Sequence, residues 1–575
     1  MEPLKLLQLD WTHAWFLTAW DDEHYPFDLT LTRVDRVVSD HSSSPCWLGS
    51  VPRELYQPLL EAAFAHCRPL AIGELVQRWP ERTLSLGGRR RSGHSPPNRL
   101  CVQALLLAVV RGLGDKRCAL QVLDLCGLQC EDGRVADSMG GWSLTVALCS
   151  TVLQAKRRAP GGPRREGERE RKRMLEAEAE RDAVVKRERG LGADGRTDCG
   201  RLSVGGGEDR AQGIRRTMEE RRVRDREPGR GGGGGEADSE VDGGRVRVWA
   251  DLFVNARSWE RVRVALSATG PLRLHCRYLR VEEIPANNIA ALLALLTPHG
   301  LLGLDVRYSS LGVSGLALLL PTLAPFPDLG SLRLHYCNLD MRRDLPGQEG
   351  ALKEMAKGLG GLGQLRRLSL TALRLPGHLR MLLSSLSRPL EVLELPYLSL
   401  SPGDLSYLSC SAHASTLRCL DLSENKLDET AVPSLRRLLQ QASGSLTQLS
   451  LSGCGLSDRL LGALLPSVGR CGALRSLRLA LNPLSQGGVL SLVRVAAGIP
   501  SLRLLLYPNA LEEYQPGLPP LPSSAQLLDW PLVEETEVRE AMQLELAKAL
   551  AESGRSDLLL TSDLLSYSTD PMEDD

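Results

Sequence analysis

Neither sign of charge predominates in this chain. Its 575 residues carry 70 lysines and arginines against 70 aspartates and glutamates, so no overall field draws it to nucleic acid or to an anionic membrane. Long apolar runs are missing too: none reaches the roughly 18 residues that a membrane span requires. The first residues, from Met1, bring acids and tryptophans where a secretory signal would carry an apolar core, and the expectation is an intracellular protein. The 14 cysteines follow no regular spacing, which suits free thiols in a reducing compartment better than a disulfide framework. Catalytic signatures are likewise lacking: there is no phosphate-binding G-x-x-x-x-G-K-[ST] loop, no G-x-S-x-G elbow and no H-E-x-x-H helix. Cys126 and Cys130 form a C-x-x-x-C pair with no histidine beside it, which falls short of a zinc ligand set. Neither an enzyme nor a cofactor or metal protein is expected.

What is present is leucine at a fixed interval. Leu417, Leu420, Leu422, Asn425 and Leu427 fill every slot of the pattern L-x-x-L-x-L-x-x-N-x-L. The same template falls on segments beginning at Leu301, Leu329, Leu365, Leu390, Leu446, Leu474 and Leu502, so that first leucines stand 28, 36, 25, 27, 29, 28 and 28 residues apart. About eleven residues of such a unit make a strand and turn, and the remainder has room for a return helix. One unit cannot bury its own leucines; stacked units can. The fold class predicted is therefore α/β, a leucine-rich repeat solenoid (horseshoe) of long βα repeats. Asn occupies its slot only at Asn425 and Asn482, while Cys337 and Cys454 take it elsewhere and read as structural. A faint copy at Leu272, Leu274 and Leu279 precedes the block, and an isolated one at Leu120, Leu123, Leu125 and Leu128 lies far upstream.

Along the chain, residues 1–50 show no period and stay unassigned. Residues 51–155 read as an α-helical N-terminal cap with a first repeat-like unit, its helices starting near Pro52, Ala71 and Leu100 and a further one near Trp142. Residues 156–244 are almost wholly Arg, Glu, Gly, Asp and Ala, a composition that cannot build a core and reads as a disordered insert. Alternation resumes at Arg245, and residues 245–528 are assigned to the repeats, with an insertion at 340–350 accounting for the single spacing of 36. A C-terminal helix cap follows over 529–560, its helix running from Glu535 to Leu550, and 561–575 forms an acidic tail.

Since strand side chains alternate, residues between the leucines face the open side of the sheet. Arg273, His275, Arg307, Tyr308, Arg333, His335 and Tyr336 come from early repeats; Glu394, Tyr397, Asp421 and Glu424 come from middle ones. That concave face runs from basic and aromatic to acidic. Tyr and Arg are favoured interface anchors, so a protein partner whose acidic patch meets Arg307 and Arg333 is expected there. The alternative is a stoichiometric inhibitor that caps an enzyme's cleft with the same face.

Six segments carry a family resemblance: Val51 to Phe64, Val76 to Pro80, Leu120 to Leu125, and the strand lines Ala250 to Val254, Pro271 to Cys276 and Ser331 to Tyr336. Together they resemble the PRAME family of leucine-rich repeat proteins, over about residues 51–155 and 245–568. The resemblance implies a cytoplasmic adaptor without enzymatic activity. Two roles follow from it: a substrate receptor joining elongin B/C to a cullin-RING ubiquitin ligase, or a regulator of Toll-like receptor and NF-kappaB signalling that binds a kinase subunit. An elongin-binding box needs a leucine followed four residues later by cysteine on an early helix, and neither Leu55–Cys67 nor Leu100–Leu113 has that spacing.

Overall fold

A computed structural model describes residues 51–86, 98–128, 143–158, 245–342, 347–533 and 536–564. The chain divides into two compact units, residues 1–156 with 245–575, and residues 157–244. The readings of 1–50 as unassigned and of 565–575 as a tail lie outside the described residues, as does nearly all of the 156–244 insert.

The helical cap consists of α1 (Tyr56–Ala65), α2 (Pro69–Gln77) and α3 (Arg99–Gly112). Proline starts α2, where its missing N–H leaves no helical bond unmade. Asn98 caps α3, its side chain accepting from the Leu100 amide at 2.8 Å. Leu60, Ile72, Leu75, Val102 and Leu105 are fully buried between them. Next, α4 (Leu144–Arg158) starts two residues after the expected Trp142 and runs three residues into the low-complexity composition.

The repeats build one parallel sheet with strands in strict chain order. It runs β1 (Thr83–Ser85), β2 (Val122–Asp124), β3 (Val246–Asn255), β4 (Leu272–Glu282), β5 (Gly303–Arg307), β6 (Ser331–His335), β7 (Arg367–Thr371), β8 (Val392–Glu394), β9 (Cys419–Asp421), β10 (Gln448–Ser450), β11 (Ser476–Arg478), β12 (Leu504–Leu506) and β13 (Leu559–Thr561). Each later strand returns through a helix, as with α8 (Gln348–Gly360), α11 (Val432–Gln441), α12 (Asp458–Val468) and α13 (Gln486–Ala497); α5 (Trp259–Leu266) joins β3 to β4, α6 (Ala286–Leu293) and α7 (Gly312–Leu319) lie between β4 and α8, and α9 (Leu379–Leu383) and α10 (Pro402–Cys410) lie between α8 and α11. Leu393, Leu420, Leu449, Leu477 and Leu505 stand side by side in register and are all buried. The repeating leucines thus solve one another's solvation problem.

At the turn after each strand the Asn slot bonds backbone that would otherwise be buried unpaired. Asn425 Nδ2 donates to the carbonyls of Leu395 and Leu422 at 2.8 and 2.9 Å, and its Oδ1 accepts from the Leu400 amide. Asn482 repeats this with Leu451, Leu479 and Leu456. Cys454 and Cys337 occupy the slot with weaker thiol bonds, at 3.3 Å to Leu422 O and 3.7 Å to Val306 O. Burial raises both thiols, Cys337 to about 12, so they are inert packing groups.

Two features depart from the sequence reading. First, β3 and β4 are long because they join two registers. Leu123 pairs with Val248, whereas Leu304 pairs with Leu279, which faces Leu252. The sheet therefore steps by four residues of β3, about 13 Å at 3.3 Å per residue. A bulge sets Asp251 against Arg277 and Tyr278 and keeps the apolar face buried on both sides of the step. The copy in phase with the repeats is Leu279 and Val281, and Leu272 and Leu274 align with the upstream unit instead. Second, the C-terminal cap is not helix alone. After α14 (Ser524–Asp529) and α15 (Thr536–Glu552), β13 adds the last strand of the sheet. The expected insertion at 340–350 ends inside α8, and Asp340 bridges to Arg374.

Candidate protein-docking site on the repeat sheet

The register sorts the polar strand residues into two rows. One passes through Phe253, Arg280, Asp305, Arg333, Ser369, Glu394, Asp421, Ser450 and Arg478; the other through Asn255, Glu282, Arg307, His335 and Thr371. Arg280, Glu282 and Asp305 were absent from the sequence reading. Asp305 lies between Leu304 and Val306 on a regular strand, where alternation alone could have placed it, whereas Arg280 and Glu282 join these rows through the step in β3 and β4. The resumed alternation of Leu279, Val281 and Ile284 was the available signal.

These neighbours change the electrostatics. Arg307 Nε donates to both oxygens of Asp305 at 3.0 and 2.9 Å, and Arg280 Nε donates to Glu282 at 2.9 Å. Arg280 also lies 5.4 Å from the Phe253 ring. Arg307, half of the expected basic patch, is thus paired with an acid of the adjacent row. His335 sits among these groups, its Nε2 3.2 Å from Ser369 Oγ. Burial first, then Arg307, Arg333 and Arg280, push its pKa down to about 4 against the opposing pull of Asp305. The ring is neutral at pH 7.

Arg273 and His275 do not join this patch. They lie on the other side of the step, opposite Arg247 and Trp249, and Arg273 is seven residues before Arg280, roughly 20 Å along the strand. His275 stacks on Trp249 with centroids 4.8 Å apart, and its buried ring nitrogens have no hydrogen-bond partner among the described residues. Burial, then Arg247 and Arg273, lower its pKa. Arg277 is 5.4 Å from the Trp249 ring and 3.4 Å from Asp124.

Tyr308, Tyr336, Tyr397 and Glu424 are not on the strands either. Each comes just after its strand, at one repeated position with left-handed backbone, φ 51°, 53°, 59° and 60°. Ala372 (56°), Gly453 (65°) and Leu481 (56°) continue the column. Alternation therefore could not place these four, which form the rim at the strands' C-terminal ends. For a residue with a Cβ this conformation costs roughly 1–2 kcal/mol. The tyrosines accept that cost while 55%, 46% and 47% exposed. Tyr308 and Tyr336 stack with centroids 5.3 Å apart and planes 15° apart. Across the notch left by Ala372, the Tyr397 hydroxyl donates to Glu424, and burial followed by that carboxylate raises the phenol to about 12.

Among the described residues no group of three or more His, Cys, Asp or Glu is arranged to hold a metal ion, and no helix is long and apolar enough to cross a membrane. Cys126 is half-buried and its thiol is raised, chiefly by burial; Cys130 lies outside the described residues.

Comparison with known proteins agrees with the repeat architecture. Residues 31–132 match the PRAME N-terminal domain and residues 250–518 the PRAME C-terminal domain, the former beginning within the segment left unassigned. Leucine-rich repeat-containing protein 14 of Xenopus laevis is 35% identical over 554 residues, covering 92% of this chain and 96% of that protein. Human PRAME family member 12 is 25% identical over 81% of each chain. Among solved structures, a chain of the yeast Rad7 and Elc1 complex aligns over 93% of this chain and 98% of its own, at 13% identity and a TM-score of 0.37.

Proposed function

This chain belongs to the PRAME family of leucine-rich repeat proteins, and from that premise we propose that it is a recognition scaffold which holds a protein segment along its polar rows and tyrosine rim. The carrying observation is the stacked, half-exposed pair Tyr308 and Tyr336, held in strained left-handed backbone. The same left-handed turn recurs in successive repeats as far as Leu481, so it fixes where the phenols stand along the rim. Large flat phenols at fixed positions add interface area at little conformational cost.

Of the two roles implied by the family resemblance, which do not exclude each other, we take regulation of NF-kappaB signalling through a kinase subunit as the first to test. The ligase role through elongin B/C requires the leucine and cysteine spacing that neither α1 nor α3 carries. Both roles place the protein in the cytoplasm. Capture of tagged full-length chain from cells tests the reading, with the double variant Tyr308→Ser, Tyr336→Ser beside the wild type. A stoichiometric kinase subunit that the double variant loses is the expected result. Elongins and a cullin in its place would transfer the assignment to the ligase role, and equal recovery by both chains would remove the rim from it.

A further inference from the structure

The connections after β10 and β11 take residues 451–457 and 479–485, whereas that after β12 takes 507–535 and contains α14. Its neck closes on itself: Tyr514 and Leu532 pair antiparallel, the Gln515 amide donates to Pro531 O at 3.0 Å, and Trp530 Nε1 donates to Gln515 O at 3.0 Å. Its root is fixed to the neighbouring turn, with the Leu511 amide donating to Leu484 O at 2.8 Å and the Gln486 amide to the Glu512 carboxylate at 3.0 Å. From there the loop turns back along the rim. At its tip Ser524 Oγ donates to Glu424 Oε2 at 2.6 Å, a contact between residues 100 apart in sequence. Glu424 belongs to the turn after β9, three strands from β12, roughly 14 Å at the spacing of a sheet.

Beside this bridge a half-open hollow of about 840 Å³ lies between loop and rim, lined by Leu481, Tyr507, Tyr514, Leu527 and Leu528 and by Ser562 to Leu564 after β13. Leu527 is 4% exposed at its wall, while Leu528 is 59% exposed. The loop is thus held at its root, by Leu527 and by one side-chain hydrogen bond at its tip, with an open hollow alongside, few enough contacts for a displaceable element. The column of rim positions that presents Tyr308, Tyr336 and Tyr397 continues directly beneath it to Gly453 and Leu481.

Resting on the reading of the rim as a docking surface, we propose that residues 511–533 are an intramolecular latch over its C-terminal half. The natural competitor is a partner segment of the same chemistry as the tip: a helical turn opening with a serine or threonine that donates to Glu424, followed three residues later by a leucine-like side chain at the wall of the hollow. Ser524 and Leu527 occupy those two places in the closed chain. Docking of such a segment extends the partner's footprint from the tyrosines across the last repeats.

A fluorescein-labelled peptide of residues 519–533 serves as probe, titrated into full-length chains up to about 1 mM, the range of effective concentration that a tethered segment commands. The variant Ser524→Glu, Leu527→Asp, whose own tip is repelled and detached, should bind it saturably. The wild type should bind at least tenfold more weakly, and adding Glu424→Ala to the variant should abolish binding. No binding to the variant, or equal binding to both chains, overturns the proposal. Hydrogen exchange supplies the arm that does not depend on the double variant: Ser524→Ala should raise exchange of the tip amides 523–530 at least tenfold and leave the neck amides of Gln515 and Val533 and strands β9 to β12 unchanged, and unchanged exchange at the tip overturns the latch. Tyr308→Ser in the latch-open background should leave peptide binding intact, so failure of the tyrosine rim as a partner site and failure of the latch are read separately.

Discussion

The carboxylate of Glu424 lies over the bare backbone of Gly453, in the space that a Cβ on that residue would occupy. Gly453 is at φ +65°, so an added side chain meets strain and collision together. Gly453→Ala should destabilise by roughly 2–3 kcal/mol and free Glu424 from its seat. Gly455→Ala, at φ +70° with nothing within 4 Å, should cost only the strain, about 1 kcal/mol. Urea unfolding of both variants checks the ranking, and equal losses would refute the collision.

Asn425 and Cys454 occupy equivalent slots with unequal work to do. Asn425→Ala strands the Leu395 and Leu422 carbonyls and the Leu400 amide, a loss on the order of 3 kcal/mol. Cys454→Ala removes two weak thiol contacts, to Leu422 O and Ser452 O, and should cost about 1 kcal/mol, mostly as lost packing. Thermal unfolding that reversed this order would contradict the role given to the asparagine.

Acid should weaken the fold through His335. Its folded pKa is depressed to about 4, below the usual 6.5, so the unfolded chain binds the proton more readily. The stabilisation is complete above pH 6.5 and is lost as pH falls toward 4, about 1–2 kcal/mol by pH 5. His275 and His413 are also lowered by burial and act in the same direction. Urea midpoints at pH 7 and pH 5 should separate, and His335→Gln should narrow the gap. A gap unchanged by that substitution would rule His335 out as its source.

Leu420 stands in register between Leu393 and Leu449 and is fully buried. Leu420→Ala should therefore cost about 3–5 kcal/mol, transfer and cavity terms together. Leu521, 75% exposed in the latch loop, should tolerate alanine within about 0.5 kcal/mol. Chemical denaturation of the pair measures the contrast, and a small loss at Leu420 would mean that the ladder relaxes to fill the gap.

The repeat was legible because it is made locally: leucines at Leu417, Leu420 and Leu422 commit a strand and turn whatever lies next to them, and a near-constant interval obliges successive units to stack. The asparagine and cysteine slots and the helices expected near Ala71 and Leu100 follow from the same short-range rules of capping and periodicity. What the chain could not reveal alone depended on pairing between strands. The four-residue step within β3 and β4 moved Arg273 and His275 away from Arg307 and brought in Arg280 and Glu282, while Asp305 on the neighbouring strand pairs with Arg307. Left-handed backbone after each strand took Tyr308, Tyr336, Tyr397 and Glu424 off the sheet face and onto its rim. The contact of Ser524 with Glu424 needs two turns, separated by three whole repeats, to arrive at one edge. Periodicity fixes which side of each strand is apolar; only the packed sheet decides which polar residues become neighbours, since register and loop path are settled by contacts between units and leave no mark within one.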